Sequence, residues 1–203
     1  MLQHYVLNVG LQWLLFLSIP IIIYLIFFRK QAKIFSFFGL KTMKKADNRL
    51  LIITSILSVF YLLFNYFVFT QFDVGLNDAR FLSYQQTGLS VETFLILLIN
   101  SIIQTSLLEE IMFRGFLLNV LNDKFSFSIS NHTQAAVFTG IHVVGTIQMG
   151  LSLPFILLGN LCIYLLSIYW GKLTKDSGYS IYYATFFHSI INLIIGLFLF
   201  LPI

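Results

Sequence analysis

Charged residues are scarce in this chain. Of its 203 residues, 58% are hydrophobic and only 10% are charged, whereas an ordinary soluble domain has about 25% charged residues. A soluble fold of this length could not bury so much apolar surface, but a bilayer can, because a helix of about 20 apolar residues crosses its hydrocarbon core. The composition therefore excludes a soluble globular protein and leaves room for about six or seven membrane spans.

Cysteine is also scarce, and we expect no cleavable leader. The single cysteine, Cys162, lies in the middle of an apolar run, so an intrachain disulfide is excluded and we expect the thiol to pack as a small hydrophobe. The N-terminus lacks the positive region of a signal peptide, and the apolar stretch 5–28 is too long for one. We expect that stretch to remain as the first span.

Basic residues give a net charge of +4, and they lie almost entirely between the apolar runs. This placement indicates contact with membrane lipids and excludes a nucleic-acid partner. Seven of the twelve fall in one connector, 29–49, and these are Arg29, Lys30, Lys33, Lys41, Lys44, Lys45 and Arg49. The same connector holds an apolar cluster over 34–40, which predicts a short helix lying in the headgroup layer.

The apolar runs predict six transmembrane helices, because only helices satisfy their own backbone hydrogen bonds in lipid without closing a barrel. The predicted fold class is therefore all-α, a polytopic transmembrane helical bundle of about six spans. The runs cover approximately 6–28, 50–70, 91–121, 133–149, 151–170 and 180–201.

The loop charges predict the orientation in the membrane. Lys and Arg collect on the cytoplasmic side, so connector 29–49 should lie inside and the N-terminus outside. By alternation, ten basic connector residues then fall inside and one, Arg80, falls outside beside Asp73 and Asp78. We expect a multi-pass protein of the plasma membrane. The abundance of Phe, Ile, Tyr, Asn and Lys points to an AT-rich genome and hence to a bacterial source.

Three predicted spans contain ionisable side chains, which cost several kcal/mol inside a bilayer and so indicate function. Each of these spans has two polar or aromatic residues four positions apart, which places them on one helix face. At about 1.5 Å per residue, the three stripes reach the same depth in the cytosolic half of the membrane. The residues are Glu109, Glu110, Arg114, Phe138, His142, His188 and Asn192.

Taken singly, a histidine or a Glu-Arg pair inside a membrane has a structural explanation as a helix-helix contact. Taken together, two carboxylates, an arginine, two histidines and an asparagine supply a base, an orienting charge and oxyanion donors. We expect the two remaining histidines, His4 and His132, to lie at the surface.

The motifs Glu-Glu-x-x-x-Arg, Phe-x-x-x-His and His-x-x-x-Asn, in this order on successive spans, resemble those of the CPBP intramembrane proteases. That family includes the type II CAAX prenyl proteases and bacterial relatives in bacteriocin processing and self-immunity. The resemblance divides the chain into residues 1–89, two N-terminal spans with a basic cytoplasmic connector, and residues 90–203, a CPBP-like catalytic core.

The resemblance implies an intramembrane endopeptidase that cuts a membrane-associated peptide or protein with glutamate-activated water and no cofactor. Glu109 would then be the general base, with Glu110 and Arg114 as its orienting pair.

The other motifs would serve the substrate side of the same reaction. The resemblance implies that His142 polarises the water or the carbonyl and that His188 and Asn192 stabilise the oxyanion. Phe138 would pack the site where substrate binds.

Three alternatives remain open at this point. Two histidines and a glutamate could bind zinc, although no His-Glu-x-x-His helix is present. The same fold could act as an immunity factor or as a partner of a membrane sensor kinase, with a dispensable site. A small transporter with a proton-relay glutamate is disfavoured, because the chain lacks the internal repeats of many transporters.

Overall fold

The computed structural model describes residues 2–30, 32–72 and 86–200, and within them the secondary structure is helical, with no strand. This confirms the all-α fold class. The helices are α1 (Leu2–Phe28), α2 (Ile34–Phe37), α3 (Asn48–Gln71), α4 (Val91–Asn122), α5 (Phe127–Gln148), α6 (Leu153–Asp176) and α7 (Tyr182–Phe198).

In the described part of the chain, four helices are long and apolar enough to cross a membrane: α1, α3, α4 and α6. Helix α7 is apolar but has 17 residues, and α5 has 22 residues but carries more polar ones. Three of those polar residues, Ser130, Asn131 and Gln134, are buried inside the bundle. The six predicted spans thus correspond in order to α1 and α3–α7, and the polytopic bundle is confirmed.

The connector between the second and third predicted spans bears on the expected orientation. Its three charged residues, Asp73, Asp78 and Arg80, lie outside the described residues.

Helix α4 begins just after this connector with a capping box, in which the Thr93 backbone N–H donates to Ser90 Oγ at 3.2 Å and the Ser90 N–H donates to Thr93 Oγ1 at 2.8 Å. The pair satisfies backbone donors that the first helical turn leaves free.

Helix α4 departs from regular α-helical winding on both sides of its two glutamates. Ile99–Leu107 and Ile111–Leu117 are wound as π-helix, and only Leu108–Glu110 between them is α-helical. Wide π turns inside helices are frequent at functional sites, because they turn side chains away from the regular helical stripe.

The middle of the bundle is an apolar cluster that joins α5, α6 and α7. Its buried members are Phe138, Ile163, Leu166, Trp170, Ala184 and Ile191. The short helix α7 is enclosed by α3, by α6 and by the first π-wound part of α4. His188 of α7 is therefore buried inside the bundle, and Asn192 is half-buried.

A short helix, α2, is present where the sequence predicts one, and its connector is hydrogen-bonded to the rest of the bundle. The Ile181 N–H donates to the Gly39 carbonyl at 3.1 Å, and the Lys44 N–H donates to the Ser177 carbonyl at 3.0 Å. On α4, Asn119 Nδ2 donates to the carbonyl of Phe37 at 2.6 Å. The connector thus contacts the ends of the helices that carry the candidate site residues.

Candidate active site

Glu110 is the most enclosed carboxylate of the candidate site, with a fully buried side chain. Its Oε1 accepts a hydrogen bond from Arg114 Nη1 at 2.9 Å, one turn along α4. The same oxygen lies 2.9 Å from His188 Nδ1 on α7. Because a carboxylate can only accept, this contact assigns a proton to Nδ1 of His188 and leaves Nε2 for other partners.

Glu109 has a different environment, although it is the adjacent residue. Its Oε2 lies 3.7 Å from Nε2 of His188, and its side chain is 28% exposed, compared with 0% for that of Glu110. Oε2 has no hydrogen-bond partner within the described residues. The two glutamates therefore contact opposite nitrogens of one imidazole. Oε2 of Glu110 also has no hydrogen-bond partner among the described residues, so the two carboxylates differ in their exposure and in the contacts of Glu110 Oε1.

Arg114 is completely buried, and several groups compensate its charge. Besides its pair with Glu110, its Nη2 donates to Ser167 Oγ at 2.9 Å. The guanidinium carbon lies 4.5 Å from the ring centroid of Phe138 and 5.1 Å from that of Trp170. Aromatic faces attract a desolvated cation, so α5 and α6 both hold Arg114 in position.

A buried row of polar side chains continues from Arg114 between α5 and α6, and the sequence patterns did not identify it. Ser167 Oγ lies 3.4 Å from Gln134 Oε1, and Gln134 Nε2 donates to Asn131 Oδ1 at 3.0 Å. Asn131 Nδ2 ends the row on the Ile168 carbonyl at 3.0 Å. The only available signal was an Asn and a Gln, three positions apart, near the start of the fourth predicted span.

Phe138 and Trp170 fix the orientation of the two histidines. His142 donates from Nδ1 to the Phe138 carbonyl at 2.8 Å, and the two rings lie 4.4 Å apart. The imidazole of His188 is stacked on Trp170, with centroids 4.6 Å apart and ring planes at 22°. Its other neighbour, Phe138, meets it edge to face at 6.0 Å.

Asn192 lies one turn after His188 on α7 and contacts the π-wound part of α4. Its Nδ2 donates to Ser106 Oγ at 3.1 Å, and Ser106 in turn donates to the Ser101 carbonyl at 2.6 Å. One N–H of the Asn192 amide is thereby used, and the second is available to a bound molecule.

A cavity with a volume of about 70 Å³ connects the two histidines and Asn192. Most of its wall is apolar. The lining residues are Tyr61, Phe138, His142, Ile163, Leu166, Trp170, His188, Ile191 and Asn192.

The seven candidate residues thus come together around His188. Glu109 and Glu110 contact its ring, Arg114 pairs with Glu110, and the other candidates line its cavity. Tyr61 and Trp170 are lining residues that sequence reasoning missed. His4 and His132 are exposed, as expected.

Metal ligands were the alternative use of the same side chains. In the ranges that the structure describes, no group of three or more His, Cys, Asp or Glu side chains has the geometry to hold a metal ion. His142 and His188 both use Nδ1 for a protein acceptor and would have Nε2 to offer.

Comparison with protein families gives a match over the second half of the chain. The family model described as type II CAAX prenyl endopeptidase Rce1-like matches residues 91–194, just over half of the chain, and this range includes the seven candidate residues. Neither the curated proteins nor the solved structures give a match.

Proposed function

Since the chain belongs to the type II CAAX prenyl endopeptidase Rce1-like family of multi-pass membrane proteases, we propose that it is an intramembrane endopeptidase of the glutamic type. It hydrolyses a peptide bond of a membrane-associated peptide or protein with water activated by Glu109. The observation that carries this assignment is the unequal setting of two adjacent carboxylates on one imidazole. Glu110 is fully buried and its Oε1 is held by both Arg114 and His188, whereas the Glu109 side chain is 28% exposed and its Oε2 lies 3.7 Å from Nε2 of His188, beyond hydrogen-bond distance.

The first step is attack by water on the scissile carbonyl in the cavity. Glu109 accepts a proton from the water, and the resulting hydroxide forms a bond to the carbonyl carbon. The carbonyl oxygen becomes an oxyanion, which the free N–H of Asn192 stabilises. His188 donates a second hydrogen bond through Nε2 when both of its ring nitrogens carry protons, because Nδ1–H remains on Glu110.

The second step returns the proton. The C–N bond breaks as Glu109 protonates the leaving amine, so that the carboxylate is regenerated and the two peptide fragments are released. His142 presents Nε2 to the same cavity and polarises the water or the carbonyl. Glu110 and Arg114 take no proton in this scheme, and they act by holding His188.

Exchange of each glutamate for glutamine tests the proposal. Glutamine keeps the size of the side chain but cannot accept the proton of water, so Glu109→Gln should lower turnover by about 10²-fold or more with little change in thermal stability. Glu110→Gln is the matched control at the adjacent position and should chiefly lower the unfolding temperature. Purified variants would be incubated with candidate peptides and cleavage mapped by mass spectrometry. Wild-type turnover of Glu109→Gln would refute the assignment.

A metal test separates the glutamic mechanism from a zinc mechanism. We expect prolonged chelation of the purified wild-type protein to leave cleavage unchanged. If chelation abolished cleavage, zinc restored it and metal analysis found one zinc per chain, then His142, His188 and a glutamate would be ligands. The same preparations would also give the metal content of Glu109→Gln, which the glutamic mechanism expects to equal that of the wild type.

A further inference from the structure

A basic pocket lies at the end of α1, in the turn that leads to α2. It is a wide, open concavity with a volume of about 570 Å³ and is lined by Tyr24, Arg29, Lys30, Ala32, Lys33 and Ile34. We propose that this pocket binds the phosphate headgroup of an anionic phospholipid. Neither the family match, which begins at residue 91, nor the proposed proteolysis includes this part of the chain.

The shape of the pocket is fixed by its own hydrogen bonds and aromatic packing. Tyr24 is buried at the floor, and its hydroxyl donates to the Ala32 carbonyl at 2.7 Å, which closes the turn. The Arg29 N–H donates to the Tyr24 carbonyl at 3.0 Å. Beneath them, the rings of Tyr24 and Phe37 pack with centroids 5.2 Å apart, and those of Phe28 and Phe37 with centroids 4.9 Å apart. A preformed pocket binds a headgroup with less loss of conformational entropy.

The charge of the pocket is not compensated by any side chain among the described residues. Among the described residues, neither Arg29 nor the two lysines have an acidic or aromatic partner. Two lysines of α6 differ in this respect, since Lys172 lies 4.4 Å over the Tyr169 ring and Lys175 lies 4.3 Å over the Phe127 ring. Three free cations around one concavity match a phosphate, for which arginine offers two parallel donors and lysine a point charge.

The surroundings of the pocket favour a lipid over a free phosphate. Helix α1 is long and apolar enough to span the membrane, so its end meets the headgroup layer. Next to the pocket, Phe27 is 65% exposed and Phe35 is 68% exposed, and Ile26 is exposed as well. These side chains are placed to contact acyl chains while the phosphate lies between the cations. A soluble anion would make no contact with these apolar side chains.

Native mass spectrometry of the full-length protein tests the site. The protein would be released from micelles that contain equal amounts of phosphatidylglycerol and phosphatidylcholine. The wild type should retain phosphatidylglycerol, and R29Q/K30Q/K33Q should retain at least about tenfold less, because each neutralised residue removes a phosphate contact. The matched control is K124Q/K172Q/K175Q, which removes the same charge from other connectors and should retain the lipid. Equal retention by the two triple variants, or equal retention of phosphatidylcholine by the wild type, would overturn the proposal.

A thermal-shift series distinguishes the two sources of phosphate. Phosphatidylglycerol should raise the unfolding temperature of the wild type and leave that of R29Q/K30Q/K33Q unchanged, whereas inorganic phosphate should shift neither. A wild-type shift with inorganic phosphate as large as that with lipid would assign the pocket to a soluble anion and refute the lipid. Should the triple variant fold poorly, K30Q and K33Q singly are expected to weaken retention by about threefold or more each. Unchanged retention in both would contradict the site. Lipid retention involves no cleavage, so its outcome is independent of the proposed protease activity.

Discussion

Glu109 and Glu110 have the same side chain, but they contact different nitrogens of His188 and differ in their burial. Glu110 shares one oxygen between Nδ1 of His188 and the guanidinium of Arg114, all three being buried. Glu109 approaches Nε2 from a more open position. A buried charge is tolerated when it is paired, and removal of one partner costs more than the pair itself contributes. Substitutions at the two glutamates should therefore separate stability from chemistry.

Loss of the arginine should destabilise the whole fold as well as the site. Arg114→Ala leaves Glu110 buried with one partner fewer and removes the cation that lies over Phe138 and Trp170. We expect a cost of about 3–5 kcal/mol, the usual cost of breaking a buried pair. Lower yield, a lower unfolding temperature and lost cleavage should appear together. Lys124→Ala, at an exposed position, is the control. An Arg114→Ala protein with normal stability and full activity would show that water reaches the pair.

Trp170 should be a positioning residue for His188. Its stacked ring restricts the rotation of the imidazole, and an aromatic pair of this kind contributes about 1 kcal/mol, which corresponds to roughly five- to tenfold in rate if it is lost. Trp170→Leu should lower kcat by that factor and change KM little, and Trp170→Phe should recover most of the loss. The other tryptophan, Trp13, bonds to the backbone of α4, so Trp13→Leu should leave kcat unchanged. A larger effect on KM than on kcat would contradict the positioning role.

For single residues, the sequence identifies the charged side chains of the candidate site but not the side chains that contact them. Glu110 and His188 can be selected because an ionisable side chain in an apolar run needs a function or a partner. Trp170 and Ser167 cannot be selected in this way, because aromatic residues and serines are common in membrane helices. Hydropathy also does not show which helix face points to the candidate site. The partner of each charge depends on how helices pack, and that information lies outside any single segment.

Close helix packing explains one glycine of the family-matched segment. A Cβ at Gly115, the residue after Arg114, would overlap the carbonyl oxygen of Phe38 in the connector. Gly115→Ala should therefore destabilise the protein by about 1–3 kcal/mol, as overpacking does. Gly140, in the middle of α5, has nothing within 4 Å of the position that a methyl group would occupy, and Gly140→Ala should be neutral or stabilising by up to about 1 kcal/mol. Thermal unfolding of both variants checks this. Equal stability of the two would show that the connector does not pack against α4 at this point.

The order of the helices could be predicted from the sequence, but some of their ends and their winding could not. The predicted second span, 50–70, agrees closely with Asn48–Gln71. The fourth was predicted to begin at 133, whereas α5 begins at Phe127, because the residues between include serines, an asparagine and a histidine, which are typical of loops. The π-wound segments of α4 could not be predicted from hydropathy. Each segment is only a few turns long, and the periodicity of its apolar residues cannot be measured over so short a length.

The orientation of the whole molecule can be tested with single cysteines. We propose an outside N-terminus and an inside connector 29–49, and the contact of Lys44 with Ser177 is consistent with two basic connectors on one side of the membrane. In a Cys162→Ala background, Lys44→Cys should react with an impermeant thiol reagent only after the cells are opened. Leu89→Cys, 61% exposed just before α4, should react in intact cells. Rapid labelling of Lys44→Cys in intact cells would reverse the orientation.

The multi-pass character of the whole molecule follows from composition, because apolar surface on this scale has to face lipid. The docking of connector 29–49 onto the ends of α4, α6 and α7 could not be predicted. Its seven basic residues indicate a membrane surface, but they do not indicate which helix ends the backbone between them contacts. That contact depends on hydrogen bonds such as the one between Ser180 and Lys41, which are 139 positions apart.

The position of α7 in the chain has a consequence for biosynthesis. His188 and Asn192 leave the ribosome after the other candidate residues, and the segment that precedes them bonds to a connector that was made much earlier. Until α7 inserts, Glu110 lacks its imidazole and the cavity lacks one wall. On the proposed mechanism, a half-translated chain is therefore inactive. It acquires the ability to cut a peptide bond only when its last described helix is in place.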